Sequence, residues 1–359
     1  MRIPSEIEYV LLRLEACGHE AYLVGGCVRD DLRGQTPDDF DVTTSALPDE
    51  TERAFAGDRV IETGLKHGTV TVLHGGFPVE ITTYRTEGTY SDGRHPDSVS
   101  FTRSLAEDLR RRDFTVNAMA MDVRGRVVDL CGGREDLAAK RLRAVGDPAT
   151  RFTEDALRIL RAFRFAAKLG FSIEPATLAA AVSLAPRLRL VSRERVFAEL
   201  TKLICAPYAQ AALTLMADGG VFDCLFDAPQ INRRAFSYMH RLPARADIRM
   251  AALFYGDPGA ELHVASLKPP AALLRRVEGI LHAAPPAADM PSLRRFVYAH
   301  GADAARDAAL VLAAEQAAQA DLPMRLDALL AREDCFALRD LQVNGDDARA
   351  AGFSGAAIG

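Results

Sequence analysis

The sequence predicts an α/β N-terminal domain with a mixed sheet, followed by an all-α remainder. Three observations carry that fold class. Up to about residue 130, short apolar and β-branched runs alternate with turn residues, the pattern of strands joined by tight turns. From about residue 150 the apolar positions switch to helical spacing, with Leu157, Leu160, Phe163 and Ala167 on one face. Beyond 220 the chain is rich in Ala, Leu and Arg, interrupted by prolines at 229, 243, 258, 269–270 and 285–286, with no internal repeat.

Taken in order, Ala21–Val24 reads as a strand that breaks at Gly25-Gly26 into a helix running through Leu32. Residues 40–43 read as a second strand. Residues 69–73 and 79–84 form a hairpin around His74-Gly75-Gly76-Phe77-Pro78, and 119–123 and 127–130 form another around Arg124-Gly125. A helix is expected over 152–169, with Thr153 as its N-cap and Gly170 closing it, and further helices near 175–185, 193–206 and 208–218. The stretch from Leu341 to Gly359 trails off in small residues. The domains expected are residues 1–137, 138–206 and 207–359.

A chain of 359 residues, 48% hydrophobic and 26% charged, has the composition of a globular protein of several domains. No apolar run approaches the ~20 residues of a membrane span, and the N-terminus lacks the apolar core of a secretory signal. Cysteines at 17, 27, 131, 205, 224 and 335 contain no Cys-x-x-Cys pair, so they read as reduced cytoplasmic thiols, neither a zinc site nor a disulfide framework. The net charge of −5 by itself points away from nucleic acid, but basic residues cluster at 110–112, 140–143, 158–168 and 187–195.

The candidate chemistry begins at Leu23-Val24-Gly25-Gly26-Cys27-Val28-Arg29-Asp30, followed nine residues later by Asp39-Phe40-Asp41. Gly25 and Gly26 at a helix start offer backbone N–H groups to a phosphate, and Arg29 one turn later can pair with one. Asp39 and Asp41, at i and i+2 on a strand, would project from one face and place Mg²⁺. A third carboxylate is expected on a neighbouring strand, and Glu80 fits because flanking Val79 and Ile81 would face the core. Arg112 suits a phosphate and Asp113 a ribose hydroxyl.

Further along, Asp155 and Arg158 sit at i and i+3, where helical side chains are neighbours. A carboxylate accepting from an amino group beside a guanidinium donating to a ring nitrogen matches the edges of cytosine and adenine. Uracil and guanine present the reverse pattern and would leave buried groups unpaired. Arg161 and Arg164 would reach the triphosphate or brace that pair. Each segment also has a plainer reading: an Asp-rich turn at 38–41, an edge-strand charge at Glu80, an ion pair at 112–113, and a salt-bridged helix face at 155–164.

Together these segments, with Val79-Glu80-Ile81-Thr82-Thr83-Tyr84-Arg85, Ser91-Asp92-Gly93-Arg94-His95-Pro96 and 195–203, resemble class II tRNA nucleotidyltransferases, the bacterial CCA-adding enzymes and their poly(A) polymerase relatives, over residues 20–205. The resemblance implies Mg²⁺ on Asp39 and Asp41, and Gly26, Arg29 and Arg112 on the triphosphate. It also implies a head, neck, body and tail arrangement, with Asp113 near the ribose and Asp155, Arg158, Arg161 and Arg164 forming the nucleotide-binding side of the neck. Residues 129–136 resemble the family's head–neck hinge and 195–203 a helix supporting the base-reading helix. The implied activity is template-independent addition of C, C and A to a tRNA 3′ end from CTP and ATP, releasing pyrophosphate, by a monomer or homodimer with no membrane partner. Narrower relatives, adding poly(A), CC or A alone, are the alternatives, and a non-catalytic RNA-binding relative is the alternative of another class. The loop after Arg85, complete over 87–100, points away from CC addition, and the −5 charge away from poly(A) addition. No His is followed by Asp, so the hydrolase domain of some relatives is not expected.

Overall fold

A computed structural model describes residues 3–37, 39–65, 68–87, 99–332, 345–352 and 354. Its contacts separate two compact units, Met1–Asp227 and Ala228–Gly359. The Ser91-to-Pro96 motif, most of the loop after Arg85 and Leu341-to-Asn344 lie outside the described residues.

The first unit is built on a seven-stranded sheet in the order β3-β4-β5-β2-β1-β8-β9. Its strands are β1 (Ala21–Val24), β2 (Asp41–Thr44), β3 (Arg59–Gly64), β4 (Thr69–His74), β5 (Phe77–Thr83), β8 (Met119–Met121) and β9 (Val127–Asp129). A separate ribbon pairs β6 (Arg85–Glu87) with β7 (Val99–Phe101). The sheet is mixed: β2 and β5 run parallel, whereas β1–β2, β1–β8, β4–β5 and β8–β9 are antiparallel. The parallel pair sets Asp41 in register with Glu80.

Alternation along each strand gives the sheet two apolar faces. Leu23, Val42, Val72, Val79 and Ile81 join Ile7, Val10, Leu11 and Leu14 of α1 (Ser5–Ala16) in the larger cluster. On the opposite face Val24 and Ala120 pack with Leu109 of α4 (Leu105–Arg110), between α3 (Pro48–Ala54) and α5 (Gly133–Ala138) in chain order. Each fully buried aliphatic side chain contributes about 1.5–3 kcal/mol, so this alternation fixes which face stays free for polar groups. β2 begins at Asp41, a residue later than expected, leaving Asp39 in the preceding loop, where its Oδ1 accepts the Phe40 amide at 2.9 Å.

The helical remainder differs from expectation at two places. Residues 141–142 (β10) and 172–173 (β11) form a short parallel pair inside the stretch expected to be all-α. The single helix expected over 152–169 is two: α6 (Pro148–Glu154) and α7 (Leu157–Leu169). Asp147, not Thr153, caps α6 by accepting the Thr150 amide at 2.9 Å. Asp155 is extended (φ −135°, ψ 105°), and its Oδ1 accepts the Leu157 amide at 3.0 Å while its carbonyl accepts the Arg158 amide. A side chain satisfying a helix-start N–H stabilises such a break. Gly170 closes α7 in the left-handed region at φ 68°, as the sequence indicates. The unit continues with α8 (Pro175–Ser183), α9 (Arg193–Ile204), α10 (Ala209–Asp218) and α11 (Val221–Leu225).

In the segment read as a hinge, Asp136 is fully buried and accepts from Thr115 Oγ1 (2.6 Å), Arg141 Nε (2.6 Å) and Arg143 Nε (2.8 Å). The second unit is helical among its described residues: α12 (Arg233–Tyr238), α13 (Ala246–Leu253), α14 (Ala260–Ser266), α15 (Ala271–Leu281), α16 (Met290–His300), α17 (Ala302–Glu315), α18 (Leu322–Leu330) and α19 (Gly345–Ala350). Buried ions within it are paired; Arg245 bonds Asp247 at 2.6 Å and Asp307 at 2.7 Å. No helix among the described residues is long and apolar enough to cross a membrane.

Candidate active site

All the side chains singled out from the sequence, except Glu80, line one cleft of about 620 Å³ in the first unit. Gly25, Gly26 and Arg29 enter from α2 (Gly26–Leu32), Asp39 and Asp41 from the start of β2, and Arg112 and Asp113 from the turn after α4. Asp155, Arg158, Arg161 and Arg164 enter from the α6–α7 break and α7. Gly25 sits at φ 76°, a conformation costly for any residue with a Cβ. A Cβ there would lie 3.5 Å from Arg112 Nη1 and 3.8 Å from Asp41 Oδ2. The start of α2, the Asp41 carboxylate and the Arg112 guanidinium thus share one small space, and the first amides of α2 have no intrahelical acceptor.

The carboxylates repel one another. Burial by the cleft walls raises the Asp41 carboxyl above its usual range although the side chain opens to solvent within the cleft; Asp39 adds to the rise, Arg112 opposes it and Glu80 adds again. Glu80 is exposed between fully buried Val79 and Ile81, on the face of its strand that carries Asp41 on the next. Among the described residues no three metal-ligating side chains converge into a ready-made cage. Two crowded carboxylates without a cage suit Mg²⁺, which keeps waters and completes its shell with substrate phosphate oxygens.

Several expected ligands are instead held by neighbours. Arg29 is 2% exposed; its Nε and Nη2 donate to Asp30 at 2.9 and 2.8 Å, and Nη1 donates to Asn117 Oδ1 at 2.6 Å. Its guanidinium thus lines the cleft while bracing its wall through Asp30 and Asn117. Asp113 accepts the Phe114 amide and Asn117 Nδ2 on Oδ1, and Arg161 Nε and Nη2 on Oδ2 at 2.8 and 2.5 Å. That leaves no lone pair for a ribose. Burial would raise its carboxyl, but Arg161 outweighs that and holds it at about 2.

Asp155 and Arg158 do not pair with each other. Asp155 Oδ2 accepts Arg195 Nη2 at 2.8 Å. Arg158, 8% exposed, donates to Glu154 Oε2 at 2.5 Å and to the carbonyls of Arg151 (3.1 Å) and Arg111 (3.0 Å). The solvated salt-bridged face that was the plainer reading is thus an inward-facing, braced one. Arg164 donates to Glu199 Oε2 at 2.5 Å and lies over the Phe165 ring, 3.9 Å from its centroid. Burial lowers its pKa; Glu199 opposes that and Arg161 adds to it. Arg29 and Arg161 also approach Phe165, at 5.6 and 5.2 Å, so one ring carries three cations.

Several residues in and around the cleft were not foreseen as part of the site, Arg85 and Phe165 of its lining among them. Lys168 lines the cleft and is exposed, without an ion-pair partner among the described residues. The signal was present: 158, 161, 164 and 168 form one helical stripe. Asn117 and Arg195 also line the cleft. Asp108, 0% exposed, clamps Arg111 at 2.7 Å and Arg112 at 3.1 Å; burial would raise its carboxyl, and the two guanidiniums hold it low. Asp108 meets Arg111 and Arg112 at i+3 and i+4, a spacing that marks the clamp only once α4 is known to be a helix, whereas the Asn117–Arg29 bond is made by long-range packing. Arg112 Nε and Arg195 Nη1 are buried donors without an acceptor among the described residues.

A mixed-sheet head that presents carboxylates on adjacent strands to an arginine-rich cleft is the architecture of a nucleotidyltransferase. Residues 21–143 match the poly A polymerase head domain, and residues 170–234 match the family described as a probable RNA and SrmB-binding site of polymerase A. The chain is 50% identical over 228 residues to the CCA-adding enzyme of Streptococcus suis, covering 63% of this chain and 56% of that protein. It is likewise 50% identical over 223 residues to that of Levilactobacillus brevis, covering 61% and 56%. The crystal structure of the Bacillus stearothermophilus CCA-adding enzyme in complex with CTP superposes with a TM-score of 0.81 at 34% identity, covering 100% of this chain and 90% of that one. The chain belongs to the class II tRNA nucleotidyltransferase family. Its match spans little more than half the length of the curated relatives.

Proposed function

We propose that the protein adds C, C and A to the 3′ end of tRNA without a template, using CTP and ATP and releasing pyrophosphate. The observation that carries this reading is the shared cleft: Asp41 in register with Glu80 faces Arg112, while Asp155 and Arg158 are fixed at the head of α7. Asp39 and Asp41 hold Mg²⁺, with Glu80 beside them, and the start of α2 with Arg112 takes the triphosphate. The ion, when bound, lowers the pKa of the attacking 3′-hydroxyl and neutralises the pyrophosphate that leaves.

Asp155 and Arg158 select the base by accepting from an amino group and donating to a ring nitrogen. Arg195 and Glu154 fix their directions, so the pattern is prepared before the nucleotide arrives. Arg161 and Arg164 brace that wall through Asp113 and Glu199. The relatives support this: one solved structure holds CTP, and the family matched over 170–234 is described as a probable RNA and SrmB-binding site. The scattered cysteines, with no Cys-x-x-Cys pair, accord with the cytoplasm.

The test is incubation with tRNA lacking its 3′ CCA and one labelled nucleotide at a time. CTP alone is expected to add two residues, and ATP to be incorporated only after them. Incorporation of A without prior C would overturn the reading in favour of an A-adding or poly(A) relative.

A further inference from the structure

A second cleft, of about 580 Å³, opens at the far ends of α2 and α7. Its rim carries Arg33, Arg134 and Lys140, its floor is apolar with Phe171, and Tyr208 forms one wall; no Asp or Glu lines it. Arg134 and Lys140 are exposed and have no ion-pair partner among the described residues. Arg33 is partly neutralised, 3.6 Å from Asp30, and its guanidinium lies over the Phe171 ring at 5.5 Å. Lys140 holds a left-handed φ of 51°, where glycine would be less strained, yet it keeps a cation on the rim.

The Tyr208 ring lies against Gly170. A Cβ at that glycine would come within 3.0 Å of the ring, and the Tyr208 amide is tied to the Ala167 carbonyl at 3.0 Å. The side chain is nevertheless 56% exposed. A large aromatic held in place by a glycine and left half open to solvent offers a stacking surface.

From these observations we infer that this cleft binds one unpaired nucleotide of an RNA strand, its base on Tyr208 and its phosphodiester between Lys140 and Arg134. The absence of carboxylates on the lining decides against a metal-bound triphosphate, whose Mg²⁺ needs acidic ligands like those of the first cleft. A phosphodiester carries one charge and needs only cations. Two arginine–phenylalanine contacts, Arg29–Phe165 and Arg33–Phe171, run from one cleft to the other. Arg29 and Arg33 are one helical turn apart, about 6 Å, so the two clefts share one seam. The inference rests on the proposal that RNA is the substrate.

The test measures fluorescence anisotropy of end-labelled tRNA lacking CCA against salt concentration, with CTP affinity by calorimetry as the second readout. The double substitution Arg134→Gln/Lys140→Gln is expected to weaken RNA binding about tenfold at moderate salt and to flatten the salt dependence by one to two units of slope. Tyr208→Ala is expected to weaken it about five- to tenfold, with Tyr208→Phe restoring it. CTP affinity is expected to stay unchanged in all three. Unaltered RNA affinity and slope in both the double variant and Tyr208→Ala overturn the subsite, as does a loss of CTP affinity, which would make it a site for free nucleotide. Because the readout is binding, a wild-type protein that binds tRNA without extending it refutes the transferase reading while the variants still decide the subsite.

Discussion

Asp113 shows how a single side chain changes meaning when its partners are known. Beside Arg112 in the sequence it reads as a ribose acceptor; in the fold its oxygens are filled by Asn117, Arg161 and the Phe114 amide. Its carboxyl sits at about 2, below the ~3.9 of an unfolded chain, so the pair adds stability above pH 4. That contribution, about 2 kcal/mol, is lost as the pH falls from about 4 through 2. Asp113→Asn is expected to lower stability at pH 7 by roughly 2–3 kcal/mol, because Arg161 loses its partner. It should also flatten the acid limb of urea denaturation between pH 4 and 2, and an unchanged limb would refute the assignment. In the proposed reading Asp41 belongs to the chemistry instead: Asp41→Ala is expected to cut nucleotide incorporation at least about a hundredfold, the equivalent of about 2.7 kcal/mol, with melting nearly unchanged. Retained activity would sink the metal assignment.

At the level of elements, the α6–α7 break is the feature that the sequence concealed. Apolar spacing is continuous across 152–169, so periodicity alone reads one helix. Asp155 terminates it by capping α7 with Oδ1 while Oδ2 holds Arg195. One carboxylate thus begins the helix and presents an edge to the cleft, which only the backbone angles reveal. The strands were more legible: β1, β4 and β5 lie where their apolar runs predict, and buried Val79 and Ile81 leave Glu80 on the open face, whereas its register with Asp41 comes from the sheet pairing. Helices α1, α3, α4 and α5 were not anticipated, and with α4 went Asp108, the buried clamp on Arg111 and Arg112. Arg195→Ala separates the two duties of Asp155. Its cap to Leu157 remains, so stability should change by no more than about 1 kcal/mol for this partly exposed pair. The freed Oδ2 should relax base choice, raising misincorporation of UTP relative to CTP about tenfold in single-nucleotide assays. Unchanged discrimination with lost stability would make Arg195 structural only.

Across the whole molecule, the first cleft and the proposed binding of tRNA differ in how much chain they need. Every residue lining the first cleft falls between Gly25 and Arg195, inside the unit ending at Asp227. The ion pairs that fix them, Asp113–Arg161, Glu199–Arg164 and Asp155–Arg195, close within that unit as well. The second unit closes its own buried charges, Arg245 with Asp247 and Asp307, and the hydroxyl of Tyr238 donates to Glu315. These buried ion pairs therefore each close within a single unit, as independent folding requires of them. The fragment 1–227 is expected to unfold in one cooperative transition and to bind CTP within about threefold of the full chain by calorimetry. Its tRNA affinity should fall further, because a ligand as long as tRNA gathers contacts over more surface than one cleft provides. A fragment that folds but binds CTP more than tenfold more weakly would show that the second unit shapes the nucleotide cleft, and one that binds tRNA as the full chain does would confine recognition to the first unit.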